Sequence, residues 1–130
     1  MTANIDRYFV LVALCFAGAG LFLGENMGRT GNHVQMPTHA HLMLAGCVFA
    51  AIYGLVYRAW PALKTGVLPL VQFALHVLGS LVLTTGLFMI FGGRGEEGLP
   101  VVFAAAGSMA IILSWALFIV HFVRRSGRPA

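Results

Sequence analysis

Residues Thr65–Gly93 read TGVLPLVQFALHVLGSLVLTTGLFMIFGG, 29 consecutive positions without Asp, Glu, Lys or Arg. A bilayer core of roughly 30 Å is crossed by about 20 apolar residues in α-helix. This stretch is therefore long enough to span a membrane, and it sets the pattern for the rest of the chain. Tyr8–Gly24 contributes 17 uncharged residues and Gly98–Val123 contributes 26. Thr30–Tyr57 is also free of charge, with its apolar part starting near Thr38. Lipid offers no partner for free backbone groups, so helix is the expected spanning form. The period-two alternation of a membrane barrel is absent. We expect an all-α, integral membrane, four-helix up-down bundle. The whole of 1–130 forms one domain, with spans at about 8–24, 38–60, 67–92 and 99–123.

Composition agrees. Of the 130 residues, 59% are hydrophobic and only 9% charged, against about 25% charged in an ordinary soluble domain. Mean hydropathy is +0.88. A soluble fold of this size could not hide so much apolar surface. This excludes a cytosolic globular enzyme, a disordered chain and a disulfide-stapled secreted domain. Cys15 and Cys47 both lie inside apolar runs, at similar depths on the first two spans. They read as buried thiols that could touch. The first span, with Arg7 before it and Ala17-Gly18-Ala19 within it, has features of a signal peptide. Leu21, Phe22 and Leu23 continue the apolar run, which favours a retained span.

The net charge of +4 reads as a topology signal rather than a nucleic-acid footprint, because the cations flank the apolar runs. With both termini cytoplasmic, Arg7, Arg58, Lys64, Arg124, Arg125 and Arg128 lie inside, and Arg29 and Arg94 outside. Glu25, Glu96 and Glu97 also fall outside. The Glu25–Pro37 loop then faces the periplasm and the Arg58–Gly66 connection the cytoplasm. The expected location is a bacterial inner membrane, multi-pass. Pro37 suits the first turn of the second helix. Trp60-Pro61 closes that helix, Gly92-Gly93 closes the third, and Pro100 opens the fourth. The tail Ser126–Ala130 is expected to fray.

Helical spacing assigns faces. Gly20 and Gly24 form a small-xxx-small pair on the first helix, a close-packing face within or between molecules. On the second helix, His39 shares a face with Met43, Gly46, Ala50, Tyr53 and Tyr57. His41 lies about 200° away, with Leu44, Val48, Ile52 and Leu55. His39 should look into the bundle, and His41 toward headgroups, another subunit or an unwound helix end. The third helix carries Gln72, His76, Ser80 and Thr84 four apart, a polar stripe that belongs in the bundle interior or against a cavity. The fourth places Gly107, Ser114 and His121 on one face. Tyr53, Tyr57 and Trp60 also suit an interfacial aromatic belt.

The outer segment is rich in His and Met: Met27, His33, Met36, His39, His41 and Met43, with Met89 near. Imidazole and thioether ligate haem iron and copper. A ligating imidazole needs its other nitrogen fixed, which Thr38, Gln35 or a backbone carbonyl could supply. His76 lies roughly 20 Å deeper than His41 at 1.5 Å per residue, so His39 and His76 are poor as a pair on one haem. His121 reads as an interfacial residue beside Arg124 and Arg125. There is no CxxCH, HExxH, phosphate loop or nucleophile elbow, and no acidic residue within a span. This argues against a hydrolase and a conventional cation-coupled transporter.

The stretch His39–Pro61, HAHLMLAGCVFAAIYGLVYRAWP, resembles the second transmembrane helix of subunit I in haem-copper oxidases and nitric oxide reductases. The chain as a whole resembles small four-helix bacterial proteins with an HAHL motif and a Tyr-Arg-x-x-Pro ending. The resemblance implies a low-spin b-type haem ligand at His39, with Tyr57 and Pro61 in the closing pattern. It does not extend to the histidine-rich later helix or the cross-linked tyrosine of an oxygen-reducing centre. A second ligand would come from His41, His33, a methionine, His76 or another copy of the chain.

The expected function is therefore a haem b membrane protein for electron transfer or small-gas binding, with His39, His41 and His76 as candidate cofactor ligands. It would act as a homo-oligomer or beside a respiratory-type membrane partner, with a quinone as a further possible ligand. One alternative is a copper or zinc site built from His33, Met36, His39 and His41. The other is a cofactor-free structural subunit.

Overall fold

In a computed structural model, residues 2–95 and 97–127 are described. Glu96 and Arg128, which entered the charge count, lie outside the described residues, as do Pro129 and Ala130 of the tail. Apart from a short 3-10 turn at Thr2–Asn4, the first helix is α1 (Ile5–Thr30). The second span is a run of three parts: α2 (Met36–His41), a wide π-helical stretch at Leu42–Val48, and α3 (Phe49–Ala59). A 3-10 turn at Pro61–Lys64 leads to α4 (Leu68–Met89), which ends in a second π stretch, Ile90–Arg94. The last helix is α5 (Leu99–Arg125). No strand occurs among the described residues. Four helical runs are long and apolar enough to cross a membrane: Thr2–Thr30, Met36–Ala59, Leu68–Arg94 and Leu99–Arg125.

The first helix is longer than its apolar run. It runs past Glu25 and Arg29 to a left-handed cap at Gly31 (φ 67°), because charges end an apolar run without ending a helix. The expected Glu25–Pro37 loop therefore shrinks to 31–35. Pro37 and Pro100 sit in the first turns of α2 and α5, where a missing N–H costs nothing.

One end of the bundle gathers the start of α1, the end of α3, the α3–α4 connection and the end of α5. Asp6, only 4% exposed, forms an ion pair with Lys64 Nζ at 3.0 Å and faces Arg58 at 3.6 Å. His121 Nε2 lies 2.8 Å from the Leu63 carbonyl, and Arg125 hydrogen-bonds the Thr65 hydroxyl. The hydrophobic core occupies the half nearest this end, with Ile5, Phe9, Ala13, Ala50, Tyr53, Tyr57, Leu63 and Phe118 packed together. Phe9 stacks on Tyr57 at 5.8 Å between ring centroids, and Phe118 meets Tyr53 at 4.6 Å. Tyr53 and Tyr57 are 1% and 0% exposed, so they belong to the core and not to an interfacial belt. Trp60, at 40% exposed, suits the belt.

Two close helix pairs build the rest. α1 packs on the second span, where a Cβ on Gly46 would run into the Phe16 ring and one on Gly54 would meet the Asp6 carbonyl at 2.9 Å. α4 packs on α5 through Gly79, Gly86 and Gly107, where a Cβ on Gly107 would collide with the Leu83 backbone. In lipid, small residues at such crossings let dispersion contacts and backbone dipoles meet at short range. The outward faces are apolar throughout, with Leu14, Phe22, Leu55, Leu78, Met109, Ile112 and Val123 all exposed. An apolar exterior of this kind fits a bilayer environment.

Candidate functional site

The second span brings the outer histidines to one end of the bundle. Its faces fall as expected: Gly46, Ala50, Tyr53 and Tyr57 are buried, while Leu44, Val48, Ile52 and Leu55 are exposed. The π stretch that follows His41 was not legible in the sequence. Its wide turn is closed by the Phe49 N–H on the Leu44 carbonyl, five residues back. π turns of this kind occur often at functional sites.

His39 is half-buried and seated on α1. Its Nδ1 lies 2.8 Å from the Gly20 carbonyl. A carbonyl can only accept, so Nδ1 carries the proton and Nε2 of the neutral ring keeps its lone pair. The ring lies over Gly24, where an added Cβ would stand 2.8 Å from Cε1. Gly20 likewise admits Met43, whose Sδ would be 2.5 Å from a Cβ there. The small-residue face of the first helix is thus used within the chain, as the seat of His39 and Met43.

His41 is exposed, with Nδ1 at 2.8 Å from the Pro37 carbonyl. His33 is exposed too, its Nδ1 at 3.1 Å from the Gly31 carbonyl. All three outer imidazoles therefore have Nδ1 engaged by backbone and Nε2 available. Backbone carbonyls supply this fixing, not Gln35 or Thr38. Those two are used elsewhere: Thr38 donates to Gln35 Oε1 at 2.7 Å, and Gln35 Nε2 donates to the Phe88 carbonyl at 3.1 Å. They tie the 31–35 connection to the far end of α4. Met36 is 47% exposed and Met27 only 4%. No group of three or more His, Cys, Asp or Glu suited to a metal ion occurs among the described residues. Cys15 is exposed and Cys47 packs against the core cluster, both as free thiols.

The polar stripe of α4 points inward, with Gln72, His76, Ser80 and Thr84 all buried. Its two ends are bonded. Gln72 accepts from Tyr57 Oη at 3.3 Å and donates to Ser114 Oγ at 3.1 Å, and Ser114 returns a bond to the Gln72 carbonyl at 2.9 Å. Thr84 Oγ1 donates to the Ser80 carbonyl at 2.7 Å. The middle is not bonded: both His76 nitrogens, Ser80 Oγ and Tyr53 Oη are buried with no protein partner. His76 stands edge-on to Tyr53 with ring centroids 5.1 Å apart, and lies 6.0 Å from Phe9. Phe9 and Gly20 are separated by about 16 Å along α1 at 1.5 Å per residue. His76 and His39 thus occupy different levels, and the structure does not bring them together.

His121 is 5% exposed and braces the Leu63 carbonyl. It is an interior strut between α5 and the 3-10 turn, not an interfacial residue. No family model, curated protein or solved structure matches the chain.

Proposed function

We propose that the chain is an up-down four-helix protein of a bacterial inner membrane, with both termini cytoplasmic, that binds a b-type haem at its outer end through His39. One observation carries the reading: the 2.8 Å bond from His39 Nδ1 to the Gly20 carbonyl. It fixes the ring plane and the tautomer, leaving Nε2 as the ligating atom. An imidazole held in this way is a stronger and better oriented ligand. The donor set therefore fits haem iron. The orientation follows the charges. Arg7, Arg58, Lys64, Arg124 and Arg125 flank one end of the spans, whereas Arg29 and Arg94 flank the other, and cytoplasmic flanks carry the Lys/Arg excess.

When bound, haem would supply one-electron chemistry or a binding site for a small gas. This chain's residues do three things. His39 ligates. Gly20 and Gly24 orient it, one by its carbonyl and the other by having no Cβ. Gln35 and Thr38 hold the connection that ends at α2. His41, exposed but with the same tautomer fixed by Pro37, is suited to ligate from a second copy of the chain, which favours a homo-oligomer.

The test is the reduced-minus-oxidised absorption spectrum of the detergent-purified protein, expressed with haem supplied. Sharp split visible bands that vanish in His39→Ala are expected. A band shift on adding carbon monoxide would indicate an open position. A colourless protein with full helical content would overturn the reading.

A further inference from the structure

We propose that a cationic pocket at the Asp6 end of the bundle, between the α3–α4 connection and the end of α5, binds the phosphodiester headgroup of an anionic membrane lipid. The pocket has a volume of about 310 Å³, and Thr65, Gly66, His121, Arg124 and Arg125 line its polar side. Val67, Leu68 and Val120 line the remainder.

Charge accounting points to an anion. Among the described residues the only acidic group of this end is Asp6, and it is taken by Lys64 at 3.0 Å and Arg58 at 3.6 Å. Arg124 and Arg125 have no carboxylate partner among the described residues. Guanidinium groups match phosphate oxygens with parallel N–H donors. One of the two is also held in place. The Thr65 hydroxyl holds Arg125 across the pocket. His121 forms a fixed wall, since its Nε2–H is committed to the Leu63 carbonyl at 2.8 Å.

The pocket's position separates a lipid from a free ion. Val67 is 71% exposed and Val123 is 73% exposed. Both lie beside the arginines, offering apolar surface to an acyl chain below the headgroup. Trp60, partly exposed at the same end, marks the headgroup level. Basic pockets between transmembrane helices are suited to anionic headgroups. The groove between α1 and α3 at this end differs, since Arg58 in its lining is paired with Asp6 at 3.6 Å.

The experiment counts lipids retained by the full chain, by native mass spectrometry, after titration with phosphatidylglycerol or phosphatidylcholine. One phosphatidylglycerol held about 30-fold more tightly than phosphatidylcholine is expected, on the scale of two arginines at a charged headgroup. In Arg124→Gln/Arg125→Gln that preference should vanish, while Arg58→Gln should keep it. The single variants serve if the double one loses its helical circular dichroism. Equal loss in Arg58→Gln would show a diffuse positive end and overturn the pocket. Full preference retained in the double and single variants would overturn it as well. Millimolar inorganic phosphate should not displace the lipid; complete displacement would assign the site to a free anion and overturn the lipid.

Discussion

The imidazole of His39 and the carbonyl of Gly20 meet at 2.8 Å across the α1–α2 crossing. That contact requires α1 to be bare where the ring lies. Gly24, one turn on, supplies the bare surface, with Cε1 only 2.8 Å from where a Cβ would stand. Gly24→Val should push the ring off its seat and cost about 1–3 kcal/mol, the usual range for overpacking. Gly18→Ala is the matched control, because nothing lies within 4 Å of its Cβ position. It should be neutral or stabilising by about 0.5–1 kcal/mol, the helix-propensity gain over glycine. Thermal unfolding in detergent checks both, and the haem spectrum should be lost only in Gly24→Val.

The tight seam between α4 and α5 should be the less forgiving of the two. A Cβ on Gly107 meets the Leu83 backbone, and one on Gly86 meets the Pro100 carbonyl at 2.7 Å. Backbone cannot rotate aside as a side chain can, so Gly107→Val should cost 3 kcal/mol or more, above the common overpacking range of about 1–3. Limited proteolysis of the α4–α5 connection should accelerate in this variant and stay slow in Gly28→Ala, whose Cβ position is open.

Much of the fold was legible because lipid leaves few options. Apolar length set four spans, and Pro37, Pro61 and Pro100 marked boundaries within two residues. The inward faces of the second and fourth helices also followed from spacing, since Tyr53, Tyr57, Ser114 and His121 recur at helical intervals. Three things escaped. The π turn at Leu42–Val48 depends on backbone hydrogen bonding that no side chain announces. The seat for His39 on Gly20 needs the pairing of two helices, which a face assignment on each alone does not provide. The α4–α5 seam hid because Gly79, Gly86 and Gly107 are scattered among large apolar residues. The polar stripe of α4 was visible as a stripe. That its ends are bonded and its middle is not depends on Tyr57, Ser114 and Tyr53, which lie on other helices.

The outer histidines can be separated by substitution. Met36 is 47% exposed and His33 bonds only to its own turn. Under haem ligation by His39, Met36→Ala and His33→Ala should leave the reduced spectrum unchanged, while His39→Ala removes it. If copper or zinc were held by the four residues together, Met36→Ala would lower bound metal, measured by elemental analysis, as much as His39→Ala does. Equal loss in those two variants would discard the haem assignment.

The stripe of α4 yields opposite expectations for neighbours one turn apart. Gln72 is 1% exposed and bonded to both Tyr57 and Ser114. Gln72→Leu strips the Tyr57 hydroxyl of its acceptor in a dry interior. That should lower stability by about 1–3 kcal/mol, the cost of a buried polar group left unsatisfied. His76 is 0% exposed but has no protein hydrogen bond to lose. Phe at this position has a similar shape and would continue the aromatic packing with Phe9 and Tyr53. His76→Phe should leave thermal stability unchanged or raise it by a few degrees, because removing an unpaired polar group of matched shape carries no hydrogen-bond loss. Melting curves of the two variants in the same detergent decide the matter. A drop in His76→Phe as large as that in Gln72→Leu would show that the imidazole is bonded in the folded protein, and that the middle of the stripe is as fully satisfied as its ends.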